Sequence, residues 1–468
     1  MNKGTHVDAS YTPTGVRRFD GNPFIEALPI LESTKSEFLT SLSNYPPAPT
    51  TATRRQGEIV RTMELGIIDE VVMPFPEYQK SGLAGATILR EAYVARHPLS
   101  VIDVQRRHAL AAQGADGVMF PANWKSTAKG YFVMAHSGMG KTTFMNAFLL
   151  RYPQVITHND YQGQHLRCQQ VVYLVLRMPH DATLKSLCLQ FFEEIDRLLG
   201  TSYLRQARSA GSIAEMARQM NQVATAVSLG FLIVDELQNL RAARGEKGEV
   251  VLNLFSEVIE RLGISLMVLA TPAVQSVLEG NVRNTRKLAS YGETVIQPMR
   301  KGDAQWNAFC DTMWDYTFVK NKGRLENSVR DAWFAASAGN TAFACLAFML
   351  AQRNEIGRRE VVDAEAFQRT AATDMAFLQP AIMALRSKNP NALQAFDDLI
   401  LSPRYKALRK MLGVEDTTPK KSTSDEFEEV SGQPKHHAHR SKVAASNKKS
   451  DQHEESWPDL PLEDPLVV

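Results

Sequence analysis

Nine consecutive residues, Ala135-His136-Ser137-Gly138-Met139-Gly140-Lys141-Thr142-Thr143, carry the types that a phosphate group needs at close range. Gly138 and Gly140 allow main-chain N–H groups to turn inward around a β-phosphate. Lys141 supplies a point charge for the β- and γ-phosphates, and the Thr142 hydroxyl is an oxygen that completes a Mg2+ shell. A helix opening near Lys141 adds its positive end. The pattern is that of a P-loop, with Ala135 in place of the first glycine. A methyl group is tolerable there if the residue keeps a negative φ. His136, Ser137, Met139 and Thr143 complete the predicted ATP cradle.

Downstream, Phe231-Leu232-Ile233-Val234-Asp235-Glu236 reads as an apolar strand ending in two carboxylates. Asp235 is expected to hold Mg2+ through water. Glu236, on the opposite side of the strand end, is expected to orient and deprotonate the attacking water. A further apolar run, Ile264–Ala270, ends in Thr271-Pro272. Thr271 is either a polar sensor of the γ-phosphate or the N-cap of the helix that follows. The run Asn281-Val282-Arg283-Asn284-Thr285-Arg286-Lys287-Leu288 stands where ring-forming ATPases carry an arginine finger for the neighbouring subunit's nucleotide. Arg286 is the first choice for that role and Arg283 the second; a solvated basic turn is the alternative for each.

These groups need a frame that brings distant segments to one edge. Tyr131–Ala135, Val171–Leu176, Phe231–Val234 and Ile264–Ala270 are continuous apolar runs separated by helical stretches, with a weaker fifth at Thr294–Ile296. Such runs suit strands buried on both faces. The predicted class is α/β: a doubly wound P-loop core on a parallel five-stranded sheet. Helical spacing over Gly82 to Gln113, broken at His97-Pro98, adds leading helices. Beyond Pro298 the periodicity is helical, which predicts a lid subdomain. The expected organisation is an N-terminal arm and linker that binds a partner (1–80), the nucleotide-binding core (81–300), the helical lid (301–412) and a disordered acidic tail (413–468). The Pro-rich stretch from Tyr45 is read as an extended linker, and Pro23 to Leu42 as one weakly helical piece.

Composition narrows the classes. The chain has 468 residues, 44% hydrophobic and 22% charged, which is ordinary for a globular protein. No apolar run approaches membrane length and no apolar leader is evident, so a cytoplasmic protein without membrane contact is expected. The four cysteines are scattered, which argues against a zinc ribbon or a disulfide framework. Residues 415–468 carry seven Lys/Arg against twelve Asp/Glu, leaving 46 against 39 in residues 1–414. A mildly basic body with an acidic tail is compatible with a polyanion partner. In that tail, His436-His437-x-His439 resembles no closed metal site. Trp457 to Val468 has the makeup of a docking peptide or, equally, of a solubilising end.

Three runs carry a resemblance: Asp235-Glu236-Leu237-Gln238-Asn239-Leu240, the stretch Pro179…Leu184-Lys185…Leu187 leading to Phe191-Phe192, and Leu199-Gly200-Thr201-Ser202-Tyr203. Together they resemble the TnsC/TniB family, AAA+ ATPases that regulate target choice in TnsABC-type transposons, including CRISPR-associated ones. The resemblance spans about Thr87 to Leu350. It implies ATP and Mg2+ as cofactors and a homo-oligomeric ring or filament around double-stranded DNA. That assembly would link a target-selector protein to transposase subunits, which the C-terminal tail would reach, in a bacterial, DNA-associated setting. The departures are Ala135, Thr271 and the lack of a sensor arginine in Ser337-Ala338-Gly339-Asn340. Charge alone nominates Lys185, Arg205 and Arg208 for DNA phosphates, against a solvated helix face. Arg241, Arg244 and Lys247 form a second basic loop, open to subunit or DNA contact. A signalling NTPase scaffold or a helicase-loader-type ATPase is the alternative function.

Overall fold

The computed structural model describes residues 5–112, 120–243, 247–278 and 281–387. The strands, in chain order, are β1 (His6–Asp8), β2 (Gly130–Ala135), β3 (Val155–Tyr161), β4 (Gln164–Val171), β5 (Tyr173–Arg177), β6 (Phe231–Asp235), β7 (Ser265–Ala270) and β8 (Glu293–Ile296). Five of them make one sheet in the order β5-β6-β7-β2-β8. Every pairing in it is parallel, with Val133 of β2 opposite Leu269 of β7 on one side and Thr294 of β8 on the other. This is the AAA+ P-loop architecture, with a helical C-terminal region.

The two faces of the sheet explain the unbroken apolar runs. Tyr131, Val133, Ala135, Ile233, Met267 and Leu269 pack into one core cluster. Their neighbours Phe132, Met134, Leu232, Val234, Leu266 and Val268 pack into another on the opposite face. Alternate side chains point to opposite faces, so a strand covered on both sides must be apolar throughout.

Two features depart from the sequence reading. The run expected as Val171–Leu176 divides, because Val171 closes β4 and β5 begins at Tyr173. Its first part belongs to a second, three-stranded sheet ordered β1-β3-β4. There β3 and β4 form an antiparallel hairpin, and the turn residues Gln162 and Gly163 both have positive φ (52° and 78°). That is the conformation of a tight primed hairpin turn.

The N-terminal residues are the larger correction. Expected as an arm and linker, they instead bury Phe24, Ile25, Phe38, Leu42, Leu65 and Ile68 in the core cluster shared with the sheet and the lid. The predicted helix over Pro23 to Leu42 is two helices, Pro23–Glu26 and Lys35–Thr40. In the supposed extended linker, Thr50 and Thr53 form a capping box that starts a helical turn at Thr51–Arg54. Composition marked this segment as linker because its apolar residues are sparse, yet Leu65, Ile68 and Phe75 are buried while Ile59, Val60 and Met63 stay exposed. The helix Pro76–Val94 also runs through the boundary expected at residue 81.

The lid consists of helices Ala304–Trp314, Asn327–Ser337, Thr341–Glu355, Ala364–Ala372 and Gln379–Ser387. Trp333 is its centre, stacked on Phe348 at 4.8 Å and on Phe367 at 5.2 Å between ring centroids. Among the described residues no single helix is long and apolar enough to cross a membrane. The acidic tail, its histidine cluster and its terminal peptide lie outside the described residues.

One buried ion pair ties the N-terminal segment to the lid. Arg61, on helix Glu58–Glu64, donates through Nη1 and Nη2 to both carboxylate oxygens of Glu360 at 2.7 Å. It also donates to the Phe318 carbonyl at 3.0 Å. The Arg61 guanidinium holds the Glu360 carboxyl down at about 2. Arg61→Met leaves that carboxylate buried without its partner, and should cost about 3 kcal/mol in urea unfolding at neutral pH. A depressed carboxyl stabilises the fold above its unfolded value and loses that stabilisation as pH falls. The gap to wild type should therefore narrow from pH 4.5 towards about 2.

Candidate nucleotide site

β2 ends at Ala135, and the chain turns through His136 to Gly140 into helix Lys141–Leu149. Gly138 and Gly140 both sit at φ +80°, the left-handed region that side chains other than glycine rarely adopt. Ala135 is the last residue of the buried strand, so its methyl is absorbed by the sheet. Gly140 caps the helix with no side-chain hydrogen bond, which leaves the first amides of the helix for an anion. Met139 is fully buried and anchors the loop in the core, so only its main chain can serve a ligand.

Three further contacts hold the loop. Lys141 Nζ donates to the carbonyls of Ala135 at 2.8 Å and His136 at 3.3 Å. The buried Tyr78 hydroxyl donates to the Gly140 carbonyl at 2.9 Å. From the lid, Asn340 Nδ2 donates to the Ser137 carbonyl and the Ala342 N–H to the Gly138 carbonyl, both at 2.9 Å. The lid segment that lacks a sensor arginine thus docks on the loop through a side-chain amide and a main-chain amide.

The loop opens onto a cavity of about 520 Å3. Ser137, Gly138, Gly140, Lys141, Thr142 and Thr143 line its floor, and Glu236 reaches its edge. His136 and Met139 are not among the lining residues. The remaining walls come from outside the motifs and include Asp69 and six apolar side chains, Ile68, Val71 and Phe75 on the N-terminal side and Met313, Leu346 and Met349 from the lid. Sequence reasoning missed these six, since isolated apolar residues in a presumed linker and in amphipathic helices carry no spacing that marks a ligand wall. An apolar slot above a phosphate-sized loop has the shape of a site for a base and its phosphates.

β6 delivers the carboxylates. Asp235 is buried, with Oδ2 at 3.4 Å from the Thr142 hydroxyl and Oδ1 accepting the Glu236 N–H at 2.9 Å. Burial, with the Glu236 carboxylate beside it, pushes the Asp235 carboxyl above its ordinary value, against the pull of Lys141 and Arg177. Glu236 stands at φ +60°. A non-glycine residue in that region stores strain of order 1–3 kcal/mol, and here it turns the side chain away from the strand direction at the cavity mouth. A threonine hydroxyl beside a buried carboxylate is a hard-oxygen pair that fits Mg2+.

Thr271 is buried at the end of β7, does not line the cavity and makes no side-chain cap for the turn at Pro272. Its Oγ1 is buried without a partner, while its N–H donates to Gln238 Oε1 at 3.1 Å. Arg283 and Arg286 are both exposed on helix Val282–Leu288, outside this chain's own cavity. Arg205 and Arg208 are exposed together on helix Tyr203–Arg208. Lys185 is exposed near the start of helix Leu184–Leu199. Arg241 is exposed in the turn Leu237–Ala242. Arg244 lies outside the described residues, as does the side chain of Lys247.

Residues 125–278 match the AAA domain. The match spans β2, β6 and β7 with their loops. No curated protein matches the chain. Among solved structures, Orc1 of Aeropyrum pernix, determined in complex with DNA, is 17% identical with a TM-score of 0.39 over 70% of this chain and 84% of that one. Cdc6p of Pyrobaculum aerophilum is 13% identical with a TM-score of 0.35 over 69% and 84%. A Walker-type ATPase of Pyrococcus abyssi is 16% identical with a TM-score of 0.34 over 56% and 71%.

The raised Asp235 carboxyl has a measurable cost. A group whose folded value is raised disfavours the fold as pH rises through it, so the penalty is absent in acid and complete above the folded value. Asp235→Asn should therefore raise the melting midpoint of the nucleotide-free protein by a few degrees at neutral pH. The gain should open as pH rises past 3.8. With Mg2+ and ATP present, the variant should lose the stabilisation that wild type acquires.

Proposed function

We propose that this chain is an ATPase that assembles on duplex DNA and regulates transposition, linking a target selector to a transposase, with hydrolysis ending the assembled state. The observation that carries the ATPase reading is the convergence of Lys141, Thr142 and Glu236 on one cavity, with Asp235 against Thr142. In the nucleotide complex Lys141 exchanges its strand-end carbonyls for phosphate oxygens. The helix-start amides after Gly140 bind the same anion. Mg2+, held by Thr142 and through water by Asp235, would neutralise phosphate charge. Glu236 accepts the proton of the attacking water. Arg286, or Arg283, serves a neighbouring subunit's site, because neither lines its own. Sequence resemblance to the TnsC/TniB family through the Asp235–Leu240 and Leu199–Tyr203 runs supports the transposition role. The exposed Lys185, Arg205 and Arg208 supply phosphate contacts to DNA.

Lys141→Ala should abolish ATP binding measured by calorimetry, and with it DNA-bound assembly. Glu236→Gln should bind ATP normally, hydrolyse it at least 100-fold more slowly, and lengthen the life of the assembly on DNA. ATP affinity retained in the first variant removes the nucleotide-site reading.

DNA contact is tested separately by reversing charge at Lys185, Arg205 and Arg208. ATP affinity should hold, while the slope of log affinity against log salt should fall by about one unit per lost phosphate contact. An ATPase that DNA neither stimulates nor retains would favour the signalling scaffold.

A further inference from the structure

Glu236 is not held by its own backbone alone. Its carboxylate Oε2 accepts a hydrogen bond from Gln238 Nε2, two residues along the turn Leu237–Ala242. The same Gln238 amide accepts, through Oε1, the main-chain N–H of Thr271 at 3.1 Å. These partners leave the amide one orientation: the carboxylate can only accept and the main-chain N–H can only donate. Gln238 is therefore a bridge between the end of β6 and the end of β7, with a fixed polarity.

We propose that Gln238 is the positioning residue for water activation by Glu236, an inference that rests on the general-base reading given above. The left-handed backbone at Glu236 sets where its Cβ points but leaves the remaining torsions of a long side chain free. The bond from Gln238 selects among them. It occupies Oε2 and leaves Oε1 to take the water's proton. The anchor on Thr271 makes the base follow the end of β7, so a shift of that strand end moves the carboxylate. This also gives Thr271 a part in the site that a sensor or cap role does not require: its main-chain N–H is the fixed point. No chemistry passes through Gln238, which does not line the cavity.

Gln238→Glu separates positioning from folding, since the replacement is isosteric, keeps an acceptor for the Thr271 N–H, and sets a second carboxylate against Glu236. Single-turnover kinetics and calorimetry should show hydrolysis about 10- to 100-fold slower, the loss that a displacement of about 1 Å produces. ATP affinity should stay within about twofold and the melting midpoint should be unchanged. Gln238→Leu, which removes both bonds, should be slowed to a similar degree. Combining Gln238→Glu with Glu236→Gln should cost nothing beyond Glu236→Gln alone, because one residue acts through the other. Wild-type hydrolysis by Gln238→Glu, beside a stalled Glu236→Gln, overturns this inference alone, as does full additivity in the double variant. Wild-type hydrolysis by Glu236→Gln overturns the general-base reading and this inference together.

Discussion

Five parallel strands, the central three covered on both faces, have one consequence on which the candidate site depends: all their carboxyl ends lie along one edge. The order β5-β6-β7-β2-β8 sets β7 between the P-loop strand and the acidic strand. Thr142, Asp235 and Thr271, far apart in the chain, thus share an edge only a few strand spacings wide. Parallel strands need crossover helices, so each strand end is followed by a loop and a helix start, where unsatisfied amides collect. The polar groups of the site sit at the one place where a sheet closed by apolar cover can expose them.

That constraint was largely legible in the residues. Apolar runs marked the five strands of the main sheet, the fifth weakly and Val171–Leu176 only in part, and the Gly-Lys-Thr and Asp-Glu motifs marked two of its ends. The small sheet was not legible, because β3 and β4 mix His158, Asn159, Asp160 and Gln170 with their apolar residues and dissolve the two-residue alternation. His158 is buried there, bonded to Tyr11 and to Gln170, so its polarity is met internally and not by solvent. The N-terminal wall of the cavity was hidden for a related reason. Ile68, Val71 and Phe75 fall at helical spacing but straddle the turn Leu65–Glu70 and the start of helix Pro76–Val94, so their role comes from what they pack against. Gln238 stood in the very run that carried the family resemblance, but its two partners appear only once β6 and β7 are neighbours.

Nucleotide cavities at sheet edges need a roof, and here the roof is tied down at both ends. The lid docks on the P-loop through Asn340 and Ala342, and on the N-terminal segment through Glu360 and Arg61. The first contact uses main-chain carbonyls of the loop and requires glycine at 138, where a Cβ would lie 2.7 Å from Asn340 Oδ1. The second is a planar, two-bond pair out of water, demanding in geometry. Closure of the cavity thus depends on a segment that lies wholly outside the AAA domain match.

The small sheet has a bearing on how the chain is made. β1, at residues 6–8, pairs in parallel with β3 from Val155 onward. During synthesis at about 5–20 residues per second, the first strand waits roughly ten to thirty seconds before its partner leaves the ribosome. Arg61 waits longer, since its carboxylate partner is 299 residues downstream. Phe24 and Phe38 can pack earlier, against helix Pro76–Val94, which is made before β3. The nucleotide cavity acquires its second wall only when the lid has been translated.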